Sequence, residues 1–573
     1  MKYTNTHSRQ GSRQGGKSKP VRDVFATAPY NFIPFNRTLK VPGPARDTEK
    51  LYSGRIVCSL EAITPLFIGG HSAGKNKGDG PVDRQFLTIG GKYAIPGSSI
   101  KGMLRELVEI ISCSQLTQLS ERKIAFRRVN QGGDGAYMSR FPQEVWDGND
   151  SIIPGGYLVK RGAEYYLKPC KVALCDMGMK QYDHDAEEVI QTGPMKKKNT
   201  EYHFMKSTIG KEIHVDYDVV MNFLAQMDNS QYQTDKWKRD KARLARDGVP
   251  LFYITDKKDS STVTAIGYAR YFRIPYKYSP KSLACKNPIQ NDFCNNLFGY
   301  VSSDNKEHAD SALRGRVSIG TFRIDGMPDR PYDLILQEPH ASCIRHYVRQ
   351  DLSMNTKDRK KDDKVSNYDE SESLLAGRKY YWHRSLDDGT EARKQSNDNK
   401  KIVSVIHPLK AGAKAVFEIH VDRLTETELG ALFEALELPQ EEGNRHYHKL
   451  GGAKPYGFGT VKITVQEACV QDVAERYSSL RARLDGNDDS KLDAVKRQEF
   501  REKFKKYISD ETGKAYSTLD FNRALEAMTA WDRRPENRKT RYMGLKSEGD
   551  SGPANFSDKA LLPPAALINT YIK

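Results

Sequence analysis

A stretch near residue 100 contains the residue types that bind phosphate groups. Apolar residues at helical spacing in IPGSSIKGMLRELVEI predict an α-helix that begins after a turn at Gly97, with Ser98 as its N-cap. A helix N-terminus presents unpaired N–H groups and a partial positive charge, and a glycine lets an anion approach the backbone. The predicted phosphate-binding residues are Gly97, Ser98, Ser99, Lys101 and Arg105. An ordinary capped helix with solvated charges would explain the same residues.

A second stretch, LGGAKPYGFGTVKI, combines glycines with basic and aromatic residues. Gly451 and Gly452 allow close approach to the backbone, and Lys454 supplies a positive charge. Tyr456 and Phe458 supply rings on which bases could stack. Interleaved basic and aromatic groups of this kind suit single-stranded RNA. The spacing does not match a nucleotide-binding P-loop, and a purely structural glycine-rich hairpin is the alternative.

A polar loop predicted between His71 and about Asp83 holds residue types that could cleave a phosphodiester. A carboxylate can hold Mg²⁺ or orient an attacking hydroxyl, and a histidine can exchange a proton near neutral pH. The candidate carboxylates are Asp79 and Asp83. Cations that could offset charge at the phosphate are Lys75, Lys77 and Arg84. An aspartate that only bonds the backbone of its own turn is the alternative.

Predicted strands and helices adjoin each of these stretches. Alternating apolar residues predict strands at 55–63 and 415–421, and the first of these leads into the polar loop. A capping box formed by Thr425 and Glu428 predicts a helix that continues to Leu436. The glycine-rich stretch leads into a further alternating strand.

Changes in composition divide the chain into segments. Residues 1–22 contain six Lys and Arg and no acidic residue, which is typical of a disordered basic arm. The predicted segments are the arm (1–24), the first part of a core (25–115), an insertion (116–250), a continuation of the core (251–345), a polar loop region (346–400), the completed core with the glycine-rich loop (401–470) and a helical C-terminal extension (471–573).

The composition favours a polyanionic partner and excludes several classes of protein. The 573 residues include 91 Lys and Arg against 74 Asp and Glu, which gives a net charge of +17 at pH 7. No run of about 18 apolar residues is present, so we expect no membrane span and no membrane partner. The N-terminus lacks the apolar run of a secretory signal, and the 8 cysteines form no C-x-x-C pair. We therefore expect reduced thiols and a cytoplasmic location.

The two glycine-containing stretches together resemble the signature regions of the CRISPR-associated RAMP superfamily. Further stretches similar to that family are APYNFIPF, DFCNNLFGY, LRGRVSI, AGRKYYWHR and VDRLTETELGALFEALEL. The chain is most similar to the backbone subunits of type III CRISPR effectors, in a long variant with an insertion. This resemblance implies an α+β fold with an RRM-like (ferredoxin-like) core, a large insertion and a helical C-terminal extension.

The resemblance also implies a function. The glycine-rich loop and the GSS-K helix start would grip a guide CRISPR RNA, and the subunit would cleave a complementary single-stranded target RNA. In these backbone subunits a loop after the first core strand carries the aspartate needed for cleavage. The Val-Asp at 82–83 fits that pattern best, which implies Asp83 rather than Asp79 as the catalytic residue and Mg²⁺ ligand. His71 is a second catalytic candidate. Other subunits of an antiviral effector complex are the implied protein partners.

Three other functions fit the sequence. The chain could be a non-catalytic structural or capping subunit in which the aspartate is unused. It could be a guide-processing endoribonuclease, as related RAMP proteins are, which would use a histidine and need no metal. It could also be a general single-stranded RNA-binding protein, which the positive charge alone would permit.

The charge predicts that guide-RNA binding is strong and sensitive to salt. Neutralising several phosphates releases counterions, so the affinity should fall steeply between low and moderate salt. Lys101→Ala and Arg105→Ala should weaken binding alike for all guide sequences, because phosphate contacts carry no base information. Binding measured across a salt series, with two unrelated guides, checks both statements. A flat salt response would contradict the electrostatic explanation.

Overall fold

The computed structural model of the chain describes residues 25–46, 49–72, 81–116, 119–127, 137, 140, 154–176, 186–190, 200–227, 231–285, 289, 291–301, 312–336, 343–354, 364–395, 402–478, 491–544 and 560–572. The predicted basic arm (1–24) lies outside the described residues. So do three residues of the predicted active-site loop, namely Lys75, Lys77 and Asp79.

The strands are numbered in chain order. They are β1 (Tyr30–Ile33), β2 (Tyr52–Ala62), β3 (Gly69–Ser72), β4 (Val82–Phe86), β5 (Thr88–Ile89), β6 (Lys92–Ile95), β7 (Ala125–Phe126), β8 (Gly155–Arg161), β9 (Glu164–Asp176), β10 (Ala186–Ile190), β11 (Thr200–Thr208), β12 (Ile213–Val215), β13 (Val249–Thr255), β14 (Val263–Gly267), β15 (Ile274–Pro275), β16 (Tyr300–Val301), β17 (Ala312–Leu313), β18 (Val317–Ile319), β19 (Phe322–Arg323), β20 (Tyr332–Ile335), β21 (Arg378–Tyr381), β22 (Val403–Ile406), β23 (Lys414–Leu424), β24 (Gln440–Glu441), β25 (Asn444–Arg445), β26 (His448–Lys449) and β27 (Thr460–Asp472).

The α-helices are α1 (Gly97–Ile111), α2 (Tyr217–Met227), α3 (Gln231–Asp240), α4 (Pro280–Ala284), α5 (Phe293–Phe298), α6 (Thr390–Gln395), α7 (Glu426–Leu436), α8 (Val473–Ser478), α9 (Ala494–Thr512), α10 (Asp520–Thr529) and α11 (Ile568–Tyr571). None of these helices has both the length and the apolar composition that crossing a membrane requires.

A five-stranded antiparallel sheet forms the centre of the largest core, in the order β18–β23–β2–β27–β26. Along the chain β2, α1, β18, β23, α7 and β27 follow one another as β-α-β-β-α-β, with long additions between them. In the middle of the sheet Ile56 of β2 faces Ile419 of β23 and Ala468 of β27. Helices α1 and α7 contact each other and the sheet. The combination of helices and mainly antiparallel sheets agrees with the predicted α+β class.

The side chains of β2 alternate between the two faces of the central sheet. Ile56, Cys58 and Leu60 are buried and belong to the same apolar core as α1 and α7. On the opposite face Arg55 donates to Glu418 of the neighbouring strand at 3.2 Å. The strand predicted at 55–63 is therefore confirmed, and it begins earlier than predicted, at Tyr52.

The helix predicted after Thr425 is present as α7, and its capping box is confirmed. The Thr425 hydroxyl accepts from the Glu428 N–H at 3.2 Å, and the Glu428 carboxylate accepts from the Thr425 N–H at 3.0 Å. Glu428 is completely buried and pairs through both carboxylate oxygens with Arg316. Removing one member of such a pair leaves a buried charge uncompensated, so the pair fastens α7 to the segment before β18.

A second sheet is built largely from the predicted insertion, in the order β10–β11–β9–β8–β13–β14, with β12 paired to β9. Apolar side chains are buried on both of its faces, and α2 and α3 cover one of them. Because β13 pairs with β8, this sheet continues past residue 250, where the sequence places the end of the insertion. An apolar run predicts that β13 is a strand, but it does not predict which strand pairs with it.

The predicted helical C-terminal extension contains α9 and α10. Three residues of α9, Phe500, Phe504 and Ile508, are completely buried in the main core. The two helices lie close together at Gly430, where a Cβ atom would lie 2.0 Å from the Phe500 carbonyl oxygen. A glycine at position 430 is therefore required for α7 and α9 to pack.

This close approach predicts opposite effects of one methyl group at two helical glycines. Gly430→Ala pushes α7 and α9 apart and should lower the free energy of unfolding by about 1–3 kcal/mol. Gly102→Ala in α1 is the matched control, since a Cβ there meets nothing within 4 Å. It should raise the free energy of unfolding by roughly 0.5–1 kcal/mol, because alanine favours helix. Urea unfolding measures both variants. A Gly430→Ala variant with the free energy of unfolding of the parent would contradict the packing described.

Candidate active site and nucleic-acid interface

Asp83 lies in a strand rather than in the predicted loop. It belongs to β4, which is part of a four-stranded sheet in the order β20–β22–β4–β3. β4 runs parallel to β22, with Asp83 opposite Val405 and Arg84 opposite Ile406. The local sequence did not reveal this strand because its partner lies more than 300 residues further along the chain.

The Asp83 carboxylate binds a histidine that the sequence analysis missed. Nε2 of His407, the residue after β22, lies 2.8 Å from Asp83 Oδ1. The Gln85 side-chain amide donates to both carboxylate oxygens at 3.2 Å. The side chains of Asp83 and His407 are 42% and 35% exposed, so both remain accessible to a substrate. The only sequence signal was a histidine directly after an apolar strand, which is weak by itself.

This geometry suits proton transfer. With Nε2–H donating to Asp83, the lone pair of His407 lies on Nδ1. Nδ1 has no hydrogen-bond partner within the described residues, so it is free to accept a proton from a substrate hydroxyl. The carboxylate fixes the orientation of the ring and would stabilise the charged imidazolium that forms.

A second exposed carboxylate shares this face of the sheet. Val405 is paired with Asp83 on one side and with Asp333 of β20 on the other. Paired residues of adjacent strands point to the same face, so Asp333 lies on the Asp83 face, two strands away. Its backbone carbonyl accepts from Arg393 at 2.6 Å. No sequence pattern indicated a role for Asp333.

The other residues predicted for this site are placed differently. Arg84 directly follows Asp83 in a strand, so the two side chains point to opposite faces of the sheet. The prediction that Arg84 acts beside the Asp83 carboxylate is therefore wrong. His71 lies in β3, next to β4, but its side chain is not among those described. Lys75, Lys77 and Asp79 fall outside the described residues.

The predicted helix is present as α1, but it begins at Gly97 instead of after Ser98, its N-cap is Pro96 and no side chain caps it. Ser98 is therefore the second residue of the helix rather than its cap, and it is exposed. A Cβ atom at Gly97 would lie 1.9 Å from the Ile319 carbonyl oxygen. Packing against β18 thus requires glycine at this position, and phosphate binding by Gly97, Ser98 and Ser99 stays a prediction.

Lys101 and Arg105 lie one turn apart in α1, in different surroundings. Arg105 donates to Glu109 at 3.0 Å, to the Gly299 carbonyl at 2.9 Å and to the Asn295 side chain at 2.8 Å. All three guanidinium nitrogens are thus engaged within the chain, which gives Arg105 a structural role in place of the predicted phosphate contact. Lys101 has no hydrogen bond or ion pair in the described part. Burial, and then the Arg105 charge, lower the pKa of Lys101, so an anion beside the amine would stabilise its charged form.

The glycine-rich loop between β26 and β27 folds against the chain that follows β2. The Gly452 N–H donates to the Phe67 carbonyl at 2.8 Å, and the Gly459 N–H donates to Pro65 at 2.9 Å. Gly451 has φ of +80°, and a Cβ atom there would lie 2.3 Å from the Phe67 carbonyl oxygen. The fold itself therefore requires these glycines, and RNA binding at Gly451 and Gly452 stays a prediction.

The aromatic rings of this loop are not available for the predicted stacking on bases. Phe458 is completely buried, and the Tyr332 ring meets it edge-on with the centroids 5.1 Å apart. Tyr456 is buried as well, and its hydroxyl donates to the Ile335 carbonyl at 3.3 Å. Aromatic residues between glycines here fill the core, as large apolar groups usually do.

Two lysines fix the surroundings of this loop, Lys454 within it and Lys449 in β26. Burial lowers the pKa of Lys454, while the nearby Glu106 carboxylate of α1 opposes that change. Lys449 donates from Nζ to the Phe458 carbonyl at 2.9 Å and to Thr460 at 3.1 Å, and burial lowers its pKa well below the usual range. The interaction of Lys454 with Glu106 therefore places the glycine-rich loop beside α1.

One short segment joins this pair of stretches to the Asp83 site. Leu66 lies between Pro65 and Phe67, the residues that hold the glycine-rich loop. Its N–H donates to the Leu409 carbonyl at 3.0 Å, and the Leu409 N–H donates back at 2.8 Å. Since Leu409 follows His407 by two residues, the predicted RNA-binding and catalytic elements flank the same segment.

Comparison with known proteins supports the family resemblance. A family model described as the RAMP superfamily matches residues 59–163, a span that includes Asp83 and the whole of α1. The resemblance to this superfamily is therefore confirmed over that span. No curated protein sequence matches the chain.

Two solved structures show weak likeness to the chain. A chain of a type IV-B CRISPR complex has 11% identity and a TM-score of 0.21, covering 75% of this chain and 95% of that chain. A chain of the type III-B Cmr-beta complex bound to cognate target RNA has 11% identity and a TM-score of 0.19, covering 72% and 97%. Both likenesses are too weak to establish a shared fold.

The contrast between Lys101 and Arg105 predicts two separable effects. Lys101→Ala should lower the affinity for RNA and leave the melting temperature nearly unchanged, because its amine bonds nothing in the described chain. Arg105→Ala removes hydrogen bonds that involve a charged group and should destabilise the fold by about 2 kcal/mol or more. Thermal unfolding and RNA binding of the two variants check this. Equal losses of affinity without any change in stability would contradict the role assigned to Arg105.

Proposed function

We propose that this chain is a subunit of a type III CRISPR effector complex, in which it binds guide RNA and cleaves complementary target RNA. The match of residues 59–163 to the RAMP superfamily supports the assignment, as does the net charge of +17. The observation that carries the proposed activity is the accessible Asp83–His407 pair.

The β-α-β-β-α-β order of the central elements supports an RRM-like core. In this proposal the guide backbone lies over the start of α1, where Lys101 has no hydrogen bond or ion pair to any described residue. The glycine-rich loop beside α1 supports this surface from within the fold, since its Gly452 and Gly459 N–H groups donate to the Phe67 and Pro65 carbonyls. Guide contacts are then made to phosphates and sugars, so a subunit of this kind can accept any guide sequence.

Cleavage would proceed by attack of a ribose 2′-hydroxyl on the adjacent phosphorus. Nδ1 of His407 accepts the hydroxyl proton while Asp83 holds the ring and balances its new charge. The 2′-oxygen forms a bond to phosphorus, the bond to the 5′-oxygen breaks, and that oxygen leaves with a proton from water. The products are a 2′,3′-cyclic phosphate and a 5′-hydroxyl end.

The donors present fit a Mg²⁺ ion shared with the substrate. Proteins hold Mg²⁺ through one or two carboxylates together with phosphates and waters. Asp83 supplies one carboxylate, and among the described residues its Oδ2 bonds only the Gln85 amide. Nowhere in the described ranges do three or more acidic, histidine or cysteine side chains group into a closed metal site. Mg²⁺ bound at Asp83 would neutralise charge on the scissile phosphate.

The bond between His407 and Asp83 also favours a second candidate function, a guide-processing endoribonuclease. Such an enzyme would use the same histidine as a base and would need no metal. The two candidates therefore differ in their substrate and in their response to a chelator. The remaining alternative, a structural or capping subunit, would leave the pair unused.

Two substitutions in the assembled complex test the proposal. Asp83→Asn and His407→Gln nearly preserve side-chain size and should each slow target cleavage by roughly 10²–10⁴-fold, the usual cost of losing positioned acid–base help. Guide and target binding should survive. The matched control is Asp510→Asn, since Asp510 is exposed on α9 and should leave the rate unchanged. End-labelled target RNA on a denaturing gel, with Mg²⁺ and with a chelator, gives the rates.

The gel separates the candidate functions. Loss of target cleavage on chelation supports the metal-assisted proposal. Cleavage of a guide precursor that resists the chelator but fails in His407→Gln indicates the processing enzyme. Target cleavage by Asp83→Asn at the parent rate would show that the subunit is structural.

A further inference from the structure

A cavity of about 680 Å³ lies where the two ends of the described chain meet. Its walls are formed by β1, by residues 345–352 and by α10 together with residues 562–567. A hydrogen bond joins the first and last described segments here, since the Asn31 side chain donates to the Pro563 carbonyl at 2.9 Å. No residue of the proposed RNA-binding or cleavage sites lines this cavity. Its volume lies within the range of about 300–1,000 Å³ that is common for small-molecule sites.

The lining is apolar over most of its area. The apolar side chains that line it include Phe32, Val348, Leu352, Leu562, Pro563 and Leu567. A flat aromatic ligand can pack against such a surface, and removing that surface from water would favour binding.

Cations lie on two sides of the same cavity. Arg349 comes from one wall and Arg523, in α10, from another, and both are exposed. Neither guanidinium has a hydrogen bond or ion pair to a residue in the described ranges. Arg345 is a third lining cation, and Asp520 is the single acidic lining residue. Paired guanidinium groups are the usual protein partners of phosphate, whereas a carboxylate suits sugar hydroxyls.

A buried histidine of the lining has an unsatisfied polar atom. His346 is 4% exposed, and its Nε2 lies 3.4 Å from the Ala560 carbonyl oxygen. Its Nδ1 is buried and has no hydrogen-bond partner. Burial lowers the pKa of His346 to about 4, so the ring is neutral at pH 7 and Nδ1 is an acceptor. A buried acceptor without a donor is costly, so His346 is a polar group that the fold leaves unsatisfied in this wall.

We propose that this cavity binds a single nucleotide. Its base lies against the apolar wall, and its phosphate lies between Arg349 and Arg523. Asp520 is placed to accept from the ribose. The nucleotide is either a free molecule or the phosphorylated end of an RNA strand, since both present the same groups.

Calorimetric titration of the full-length protein with AMP tests this site. AMP should bind, and both adenosine and inorganic phosphate should bind at least about tenfold more weakly, because each lacks half of the recognised groups. Arg349→Gln and Arg523→Gln should each weaken AMP binding about tenfold. Arg246→Gln, an exposed arginine of the insertion, is the matched control and should bind AMP like the parent. Ala566→Trp, at an exposed lining position, should block the cavity without unfolding the protein.

Competition distinguishes the two sources of the nucleotide. A short RNA with a 5′-phosphate that displaces AMP, while its 5′-hydroxyl counterpart does not, assigns the site to an RNA end. AMP binding without such competition assigns it to a free nucleotide. Absence of AMP binding by the parent, or AMP binding that is equal in Arg349→Gln, Arg523→Gln and Arg246→Gln, overturns the proposal. Because Asp83 does not line the cavity, Asp83→Asn leaves this binding intact whether or not the chain cleaves RNA.

Discussion

The parallel pairing of β4 with β22 is the constraint on which the candidate active site depends. Every other strand pairing within the described ranges is antiparallel, so this pairing is exceptional in the fold. Its register places Asp83 opposite Val405, and His407, two residues after Val405, returns to the same face and reaches the carboxylate. A slip of one residue would turn Asp83 to the opposite face and separate the pair. The reciprocal bonds between Leu66 and Leu409 hold the chain just beyond this register.

The positive charge of the chain is a poor guide to where RNA binds, because the fold uses many of its cations internally. Arg105 and Arg378 both bond Glu109, and Arg316 forms an ion pair with the buried Glu428. Lys449 is buried beneath the glycine-rich loop. Cations without internal partners in the described chain, such as Lys101, are therefore better markers of an anion site than charge density.

Elements whose signals are local could be predicted from the sequence, and the contacts between distant residues could not. The capping box at Thr425 and the alternation around Ile56 depend on neighbours along the chain, and both were predicted correctly. Phe458 lies among glycines and basic residues, a pattern that predicts stacking on RNA bases. The structure instead buries its ring against Tyr332. The local signal of His407 is weak, since only the β4–β22 pairing places it beside Asp83. Of the Asp83–His407 pair, only Asp83 could therefore be predicted from the sequence.

The central claim is that Asp83 and His407 act as one unit on a target ribose. A double-mutant cycle on the cleavage rate tests it most directly, with Asp83→Ala, His407→Ala and the combined variant measured under the same conditions. If the two side chains work together, the double variant should cleave about as slowly as the slower single variant. Two losses that multiply in the double variant would show that the residues act independently, and would contradict the claim.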